Sequence, residues 1–330
     1  MLTQMVANRV YDFSHSVGGR EMLGDVALAV GPGDDVYCAV RNNNFSAMVR
    51  LTIGVVPGDE EIAGQFGSGG DGKLVWPTGI AVDRDYNVYV TDEWLNRVTV
   101  FDQVGTYLHH WGEAGNAAGR LNGPSGIDVD SQGDLYIVDS LNHRVQKFTA
   151  GGEYLAGWGG LGGGPGEFNT PWGLTVDHQD QVYVADHKNH RVQKFTTSGE
   201  YLMELGSYGT GKGELNRPSD VAVDPDGDVY ICDWANDRVQ VFAADGAFIT
   251  TFIGDAQELS KWLKETVDAN ADVVKARRRV DTLEPEWRLA LPCGLAFDAA
   301  KSRLIIADTQ RRRFQIYSKV KDYIEPQVNL

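Results

Sequence analysis

The heptapeptide Asn-His-Arg-Val-Gln-Lys-Phe occurs twice in this chain, at Asn142–Phe148 and, 47 positions later, at Asn189–Phe195. An identity of this length at a fixed interval indicates a repeat architecture. The same phrase surrounds each copy: a proline, a β-branched run that ends in aspartate, a polar turn, and a second apolar run that ends in aspartate. This repeat restricts the fold far more than the composition of the chain does.

Five repeats open with a proline, at Pro77, Pro124, Pro171, Pro218 and Pro292. The first four contain four short segments each, and the fifth contains three, all rich in β-branched and aromatic residues between Gly, Asp and Asn; such segments predict strands. A degenerate copy precedes them at 26–67. Six units of about 47 residues therefore predict an all-β fold, a six-bladed β-propeller of four-stranded antiparallel blades.

The beginning and the end of the sequence complement each other. The last repeat supplies three strands, whereas Tyr11–Ser16 resembles a fourth strand that lacks its first three. Pairing the two would close the ring and remove exposed sheet edges. We therefore expect the N-terminal strand to complete the last blade and residues 1–330 to form one domain.

The loop after each second strand carries the pattern Asp-x-x-Asn-x-Arg-Val-Gln-x-Phe, which is complete from Asp139 and from Asp186. This pattern resembles the NHL repeat, and the whole chain resembles a six-bladed NHL-type β-propeller. The resemblance implies a fold that often serves as a protein-interaction scaffold. The repeated Asp, Asn and Arg, and His143 and His190 beside them, are expected to hold the framework, because they recur at one position in successive blades.

Composition restricts the partners. The formal net charge of −16 argues against nucleic acid, which is bound by basic surfaces. Cys38, Cys232 and Cys293 lie far apart and form neither a disulfide framework nor a zinc signature. The sequence has no signal peptide and no run of about 20 apolar residues. We expect a cytoplasmic protein without membrane association, and the sequence identifies no cofactor.

Strand direction puts two loops of every blade on one face, around the central channel: the loop that opens the blade and the loop between its second and third strands. Residues in these loops differ between blades, unlike the framework residues. An aromatic, concave and partly polar mouth is typical of small-molecule sites, although each tryptophan could instead pack between loops. The candidate substrate-binding residues are Arg41, Trp94, Trp172, Trp234 and Cys293.

Three other residues are candidate catalytic groups. His187 is the only histidine predicted at the mouth, and Asp128 and Asp220 place carboxylates on inner strands where other blades have none. Such a set suits general acid–base chemistry or a hard cation; the alternative is that the carboxylates bind backbone amides and that the histidine is structural. Peptidyl-hydroxyglycine amidating lyases resemble this fold and bind zinc through three histidines. No histidine follows the opening prolines here, so no metal site is predicted.

Residues 255–289 lengthen the connection between blades five and six. Apolar residues recur there at helical spacing, at Leu259, Trp262, Leu263 and Val267, the run Ala271–Val280 is also compatible with a helix, and Pro285 is expected to limit the helical part. The insertion could form a lid over the mouth, a buttress on the rim, or a dimer contact.

The sequence thus predicts a small-molecule-binding propeller, a lyase or hydrolase acting at the channel mouth beneath the insertion. The alternative is a non-catalytic scaffold that binds a protein partner.

Overall fold

The computed structural model describes residues 3–7, 9–19, 24–42 and 45–321. These residues form six antiparallel sheets, five of four strands and one of five. The first strands of successive sheets contact one another in a closed order around a channel. The predicted six-bladed β-propeller is confirmed. In the described part of the chain, no helix has the length and apolarity that crossing a bilayer requires.

Two strands, β1 (Thr3–Val6) and β2 (Arg9–Gly18), precede the first blade. Blade one contains β3 to β6, at Asp25–Val30, Asp35–Asn42, Phe45–Thr52 and Glu61–Phe66. Blade two contains β7 to β10, at Pro77–Val82, Val88–Asp92, Arg97–Phe101 and Tyr107–Trp111. Blade three contains β11 to β14, at Pro124–Val129, Leu135–Asp139, Arg144–Phe148 and Tyr154–Gly159.

Blade four contains β15 to β18, at Leu174–Val176, Val182–Asp186, Arg191–Phe195 and Tyr201–Leu205. Blade five contains β19 to β22, at Pro218–Val223, Val229–Asp233, Arg238–Phe242 and Phe248–Phe252. Three strands of blade six follow the insertion: β23 to β25, at Pro292–Asp298, Arg303–Asp308 and Arg313–Val320.

The hydrophobic core lies between neighbouring blades. Tyr136 and Val138 of blade three, for example, pack in one buried cluster with Leu174 and Phe195 of blade four. The second strand of each blade is buried almost throughout, because it is central in its sheet and both faces are covered by other blades. This explains why these strands are continuous apolar runs rather than alternating patterns.

The N-terminal strand closes the ring, as predicted. β2 pairs with β25 over its whole length, from Val10 opposite Val320 to Gly18 opposite Arg313, and β1 adds a fifth strand outside it. The pairing extends beyond the expected Tyr11–Ser16 at both ends.

Charged residues fasten this last blade to blade five. The Lys319 ammonium lies 2.5 Å from Asp224, 2.8 Å from Asp226 and 2.9 Å from Asp228, and it is almost fully buried. Arg9 on β2 donates two hydrogen bonds to the same Asp228 carboxylate. Both partners of the closing pair, β2 and β25, are therefore tied to one turn of the neighbouring blade.

The repeated aspartate at the end of the second strand holds the framework, as expected. The Asp186 carboxylate accepts four hydrogen bonds: from the Asn169 amide at 2.8 Å, the Asn189 side chain at 2.9 Å, Arg191 Nε at 3.0 Å and Gln193 Nε2 at 3.1 Å. Equivalent sets surround the corresponding aspartates of blades three and five, Asp139 and Asp233. The signature is a buried hydrogen-bond network.

The histidines of the duplicated heptapeptide belong to the same framework. His143 and His190 adopt left-handed backbone angles, with φ of 56° and 57°, after single 3-10 turns. Their Nδ1 atoms accept hydrogen bonds from the amides of Thr170 and Arg217 in the next connection. They are turn residues, as expected.

The insertion forms three short helices, α1 (Lys261–Asp268), α2 (Ala271–Arg277) and α3 (Glu284–Trp287). Pro285 lies in the first turn of α3, so it begins a helix instead of ending one. α2 stops at Arg277, three residues short of the run that was expected to be helical.

The insertion lies on the outer rim. Ser260 Oγ donates to the Gly18 carbonyl of β2, and Trp262 packs against the cluster between blades six and one. Lys261 Nζ donates to the carbonyls of Gly58 and Glu60 in the β5–β6 loop. The described residues that line the channel include none from the insertion. These contacts agree with the rim buttress, and the placement of the insertion over the mouth stays a prediction.

Candidate functional site

The six inner strands β3, β7, β11, β15, β19 and β23 enclose a channel of about 260 Å³. Its polar lining includes Thr78, Asp128, Ser219, Asp220 and Cys293. Both predicted channel carboxylates therefore reach it.

Asp128 links two inner strands. Its carboxylate accepts hydrogen bonds from the amides of Val129 and Val176, both at 2.8 Å, and from the Thr175 hydroxyl at 3.0 Å. Val176 and Thr175 belong to β15, so the carboxylate bridges blades three and four. Burial raises the pKa of Asp128, and the hydrogen bonds oppose that shift. One side of the half-buried group still faces the channel.

Asp220 makes the corresponding link between blades five and six, since it accepts the Leu295 amide at 2.8 Å. Burial raises its pKa to about 7, and the charge of Asp128 across the channel adds to that shift. Gly173 lies directly against the carboxylate, where a β-carbon would collide with it. Both aspartates bind backbone amides, which was the alternative to a catalytic role. No hydrogen bond joins either of them to His187 in the described structure. Their catalytic role stays a prediction.

The residue after each opening proline has a structural task in three blades. The hydroxyls of Thr78, Ser125 and Ser219 each donate to a backbone carbonyl at the opening of the next blade. The acceptors are Pro124 at 2.8 Å, Trp172 at 2.7 Å and Pro292 at 3.1 Å. Trp172 holds this position in blade four and has no hydroxyl to offer. The strand that follows is the shortest of the six inner strands described, with three residues. Trp172 departs from the repeat in both sequence and structure.

The residue after the second-strand aspartate has a comparable task. Ser140 Oγ donates to the Pro171 carbonyl at 2.7 Å, and His187 Nδ1 lies 3.1 Å from the equivalent Pro218 carbonyl. A carbonyl only accepts, so Nδ1 carries the proton, and the neutral ring has its lone pair on Nε2. Burial lowers the pKa of His187 to about 4, which keeps the ring neutral at pH 7. One nitrogen thus serves the framework and the other is left for chemistry.

Two tryptophans flank this histidine. The ring centroid of His187 lies 6.1 Å from that of Trp172 and 6.0 Å from that of Trp234. The three half-buried rings come from two blades and form a continuous aromatic wall at the mouth. The sequence predicted all three residues.

Cys293 and Arg41 continue from this wall. Burial raises the pKa of the Cys293 thiol, while Thr309, Arg41 and the Trp234 side chain lie close enough to oppose the shift. We call the five residues Trp172, His187, Trp234, Cys293 and Arg41 the mouth arc; blades four, five, six and one contribute them.

Arg41 is the cation of the mouth arc. Its guanidinium stacks 4.6 Å above the Trp76 ring and donates to the Pro77 carbonyl at 3.4 Å. Burial lowers its pKa, and the charge of Glu93 opposes that shift. Among the described residues it has no ion-pair partner within 4.0 Å. Sequence reasoning missed Trp76, whose signal is an aromatic residue immediately before an opening proline.

Trp94 does not join the mouth arc. Its side chain is 73% exposed, and it stacks on no other aromatic ring of the described chain. Nor do the described residues contain a group of three His, Cys, Asp or Glu side chains arranged to hold a metal ion.

Comparison with known proteins agrees with this architecture. The profile of the NHL repeat matches residues 121–148, 168–195 and 215–242, and that of a beta-propeller repeat matches residues 65–91. The chain is a six-bladed β-propeller that contains three NHL repeats. No curated protein matches it in a sequence search.

Solved structures share the fold at low identity. Virginiamycin B lyase from Staphylococcus aureus, in a catalytically inactive variant with quinupristin, has a TM-score of 0.57 and 12% identity over 94% of this chain and 100% of its own. A structural genomics protein of unknown function from Bacteroides thetaiotaomicron has a TM-score of 0.61 and 18% identity, covering 94% and 76%. A streptogramin B lyase has a TM-score of 0.55 and 11% identity, covering 94% and 98%. These similarities concern the fold alone.

Proposed function

We propose that this propeller binds a small molecule at the mouth arc and acts on it as a lyase or hydrolase. The observation that carries the proposal is the environment of His187. The ring is fixed between Trp172 and Trp234, its Nδ1 is held by the Pro218 carbonyl, and its Nε2 lone pair is not used by the framework.

Arg41 and the two indoles indicate the class of substrate. The half-buried Arg41 guanidinium has no ion pair among the described residues. It favours an anionic group such as a carboxylate, because the partner would restore the interactions that burial removed. Indole rings favour a flat or apolar portion next to it. The substrate is therefore an anion with an unsaturated or aromatic part.

His187 is suited to move one proton. In an elimination, Nε2 would take a proton from carbon, the C–H electron pair would form the new double bond, and the leaving group would depart with its own electrons. In a hydrolysis the same nitrogen would take the proton from water. A ring of low pKa gives the proton back readily, so the imidazolium can protonate the leaving group. Two of the structural neighbours carry lyase names, which makes elimination the first reaction to test.

The experiment is a thermal-shift screen of small organic anions and divalent metals, followed by a turnover assay on each compound that stabilises the protein. His187→Ser is the sharpest variant, because Ser140 shows that serine keeps the bond to the next blade. Trp234→Ala removes one wall of the aromatic site, and Trp94→Ala is the matched control. A binder at one hundred times its Kd stabilises by about 2.7 kcal/mol, a shift of several degrees.

We expect the shift to disappear in Trp234→Ala, to become smaller in His187→Ser and to persist in Trp94→Ala. Turnover should be lost in His187→Ser even where binding survives. If no compound shifts the protein and affinity capture returns a stoichiometric protein partner, the enzyme proposal fails and the scaffold takes its place.

One observation favours that second candidate. Trp94, Leu161 and Tyr208 are large apolar side chains exposed in connections that lie, by strand direction, on the mouth face. Exposed aromatic residues of this kind are enriched at protein interfaces. A partner retained by the unmodified protein and lost by a Trp94→Ala, Tyr208→Ser double variant would support it.

A further inference from the structure

A second cavity, of about 570 Å³, lies on the outer rim, away from the channel. Residues of β2, the β5–β6 loop and the insertion line it, and it shares none of its lining residues with the channel. It is larger than the channel and within the size range of small-molecule sites. Because the insertion forms one wall, the repeated blade alone would not create this cavity.

One ring nitrogen of a buried histidine in the cavity wall lacks a hydrogen-bond partner in the described structure. His15 on β2 is only 6% exposed, and its Nδ1 shares a 2.8 Å hydrogen bond with Ser14 Oγ. Its Nε2 is buried and has no hydrogen-bond partner among the residues that the structure describes. Burial lowers the pKa of His15, so the ring is neutral. Buried polar atoms are nearly always paired in native proteins, and an unpaired one calls for an explanation.

The N-terminus of α1 borders the same cavity and is also incomplete. Ser260 holds the capping position, but its hydroxyl donates to the Gly18 carbonyl at 2.5 Å, and no side chain of the described residues caps the helix. The first turn contains no acidic residue; Lys261 stands at its first position and Lys264 follows one turn later. Cations at the positive end of a helix dipole are unfavourable unless an anion is present.

We propose that this rim cavity binds a small anion bearing one carboxylate or phosphate group. In the tautomer that binds the anion, the Ser14 hydroxyl donates to His15 Nδ1 and the ring proton on Nε2 is the donor to the anion. The uncapped amides of α1 and the Lys264 ammonium supply the remaining interactions. Lys261 is already engaged with the Gly58 and Glu60 carbonyls, so Lys264 is the cation left for the ligand.

Two carboxylates in the lining restrict the charge of that ligand. Asp255 is neutralised locally, since it accepts the Tyr317 hydroxyl at 3.2 Å and faces Arg288 at 3.8 Å. Glu258 has no described side-chain partner and would repel a second negative charge. A singly charged group is therefore preferred, and removal of the Glu258 charge should tighten binding.

The test is a titration of the full chain with acetate and, separately, with inorganic phosphate at constant ionic strength, followed by the side-chain ¹⁵N resonances of His15. His15→Gln assigns those resonances. We expect a saturable shift, weakened about tenfold by Lys264→Met, which removes a charge-assisted hydrogen bond. The matched control is Lys275→Met on α2, whose exposed ammonium lies outside the cavity lining and pairs with Asp272.

The acetate and phosphate titrations distinguish a carboxylate ligand from a phosphate ligand. Glu258→Gln should tighten the binding of whichever of the two anions binds. His187→Ser should leave this titration unchanged, because the mouth arc is a separate site. The proposal is overturned if neither anion gives a saturable shift, or if Lys264→Met and Lys275→Met behave alike. Should His15→Gln fail to fold, the comparison of the two lysine variants still decides.

Discussion

Asp186 and His187 are neighbours in sequence but belong to different parts of the molecule. The aspartate is fully buried and accepts four hydrogen bonds, all within its own repeat and the connection before it. The histidine uses one nitrogen in a bond that serine makes in blade three, and its other nitrogen remains outside the framework. In blade four, a framework residue and a mouth-arc residue are thus joined by a single peptide bond.

This difference shows how a repeat protein can acquire a site without losing its fold. The framework residues recur because each blade needs the same turn. The mouth position tolerates Ser, His or Arg, because each can reach the carbonyl of the next blade. A residue that keeps this bond with one atom is free to use another for binding.

The largest effect should follow from breaking the framework. Asp186→Ala leaves Arg191 and Gln193 without their common acceptor, and breaking a buried ion pair in this way costs about 3–5 kcal/mol. Urea denaturation should show that loss, whereas His187→Ser should change the free energy of unfolding by less than about 1 kcal/mol. Equal losses in the two variants would contradict the division between framework and mouth.

A mutation at the ring closure should destabilise the protein almost as much as Asp186→Ala. Lys319→Met leaves Asp224 and Asp228 buried with one cation fewer, and we expect a loss of about 3 kcal/mol in the free energy of unfolding. Arg9→Met should cost less, because Arg9 is more exposed than Lys319. A Lys319 variant as stable as the unmodified chain would mean that strand pairing alone closes the ring.

The channel carboxylates should differ in their response to pH. The pKa of Asp220 is raised in the folded protein, so its contribution to stability is present at low pH and is lost as pH rises from about 4 toward 7. The free energy of unfolding of the unmodified chain should therefore fall between pH 5 and pH 8, whereas that of Asp220→Asn should not. Over this range the variant should gain about 2 kcal/mol of stability relative to the unmodified chain. The measurement is urea denaturation at both pH values. Asp128→Asn, which disturbs three hydrogen bonds, should destabilise at each pH.

The smallest effect concerns His187 itself. Its pKa is lowered in the folded protein, so the unfolded chain takes up the proton first and stability falls as pH drops from about 6.5 to 4. Because the ring is partly exposed, we expect His187→Ser to remove only about 1 kcal/mol of this acid sensitivity. Unfolding curves at pH 7 and pH 5 should show it, and an unchanged pH dependence would mean that the ring titrates normally.

The sequence was sufficient for the blades because their evidence is periodic. The opening prolines and the second-strand aspartates set a register, and that register predicted the fold, the closing strand and the positions of Trp172, His187 and Trp234. It also placed Trp94 at the mouth, where its side chain is exposed and stacks on no aromatic ring of the described residues. Register gives the face on which a loop lies but not the direction of its side chain.

Three features lay beyond that register. The partners of Asp128 and Asp220 are amides of a neighbouring inner strand, and a pattern along one strand does not show which strand lies beside it. The apolar spacing of residues 259–267 predicted a helix, but helical spacing does not say which surface the helix covers. The stacking of Arg41 on Trp76 joins two blades and has no periodic signal at all.

The closure of blade six also governs when the molecule can become complete. Val10 emerges early from the ribosome, and its partner Val320 is synthesised only after the five other blades. Blades one to five are built from strands that are close in sequence, so they can form as the chain grows. β2 can pair with β1 meanwhile, but the edge that later pairs with β25 has to remain open. The last blade is thus the slow, long-range step of assembly, and an exposed β2 is the segment that another growing chain could capture.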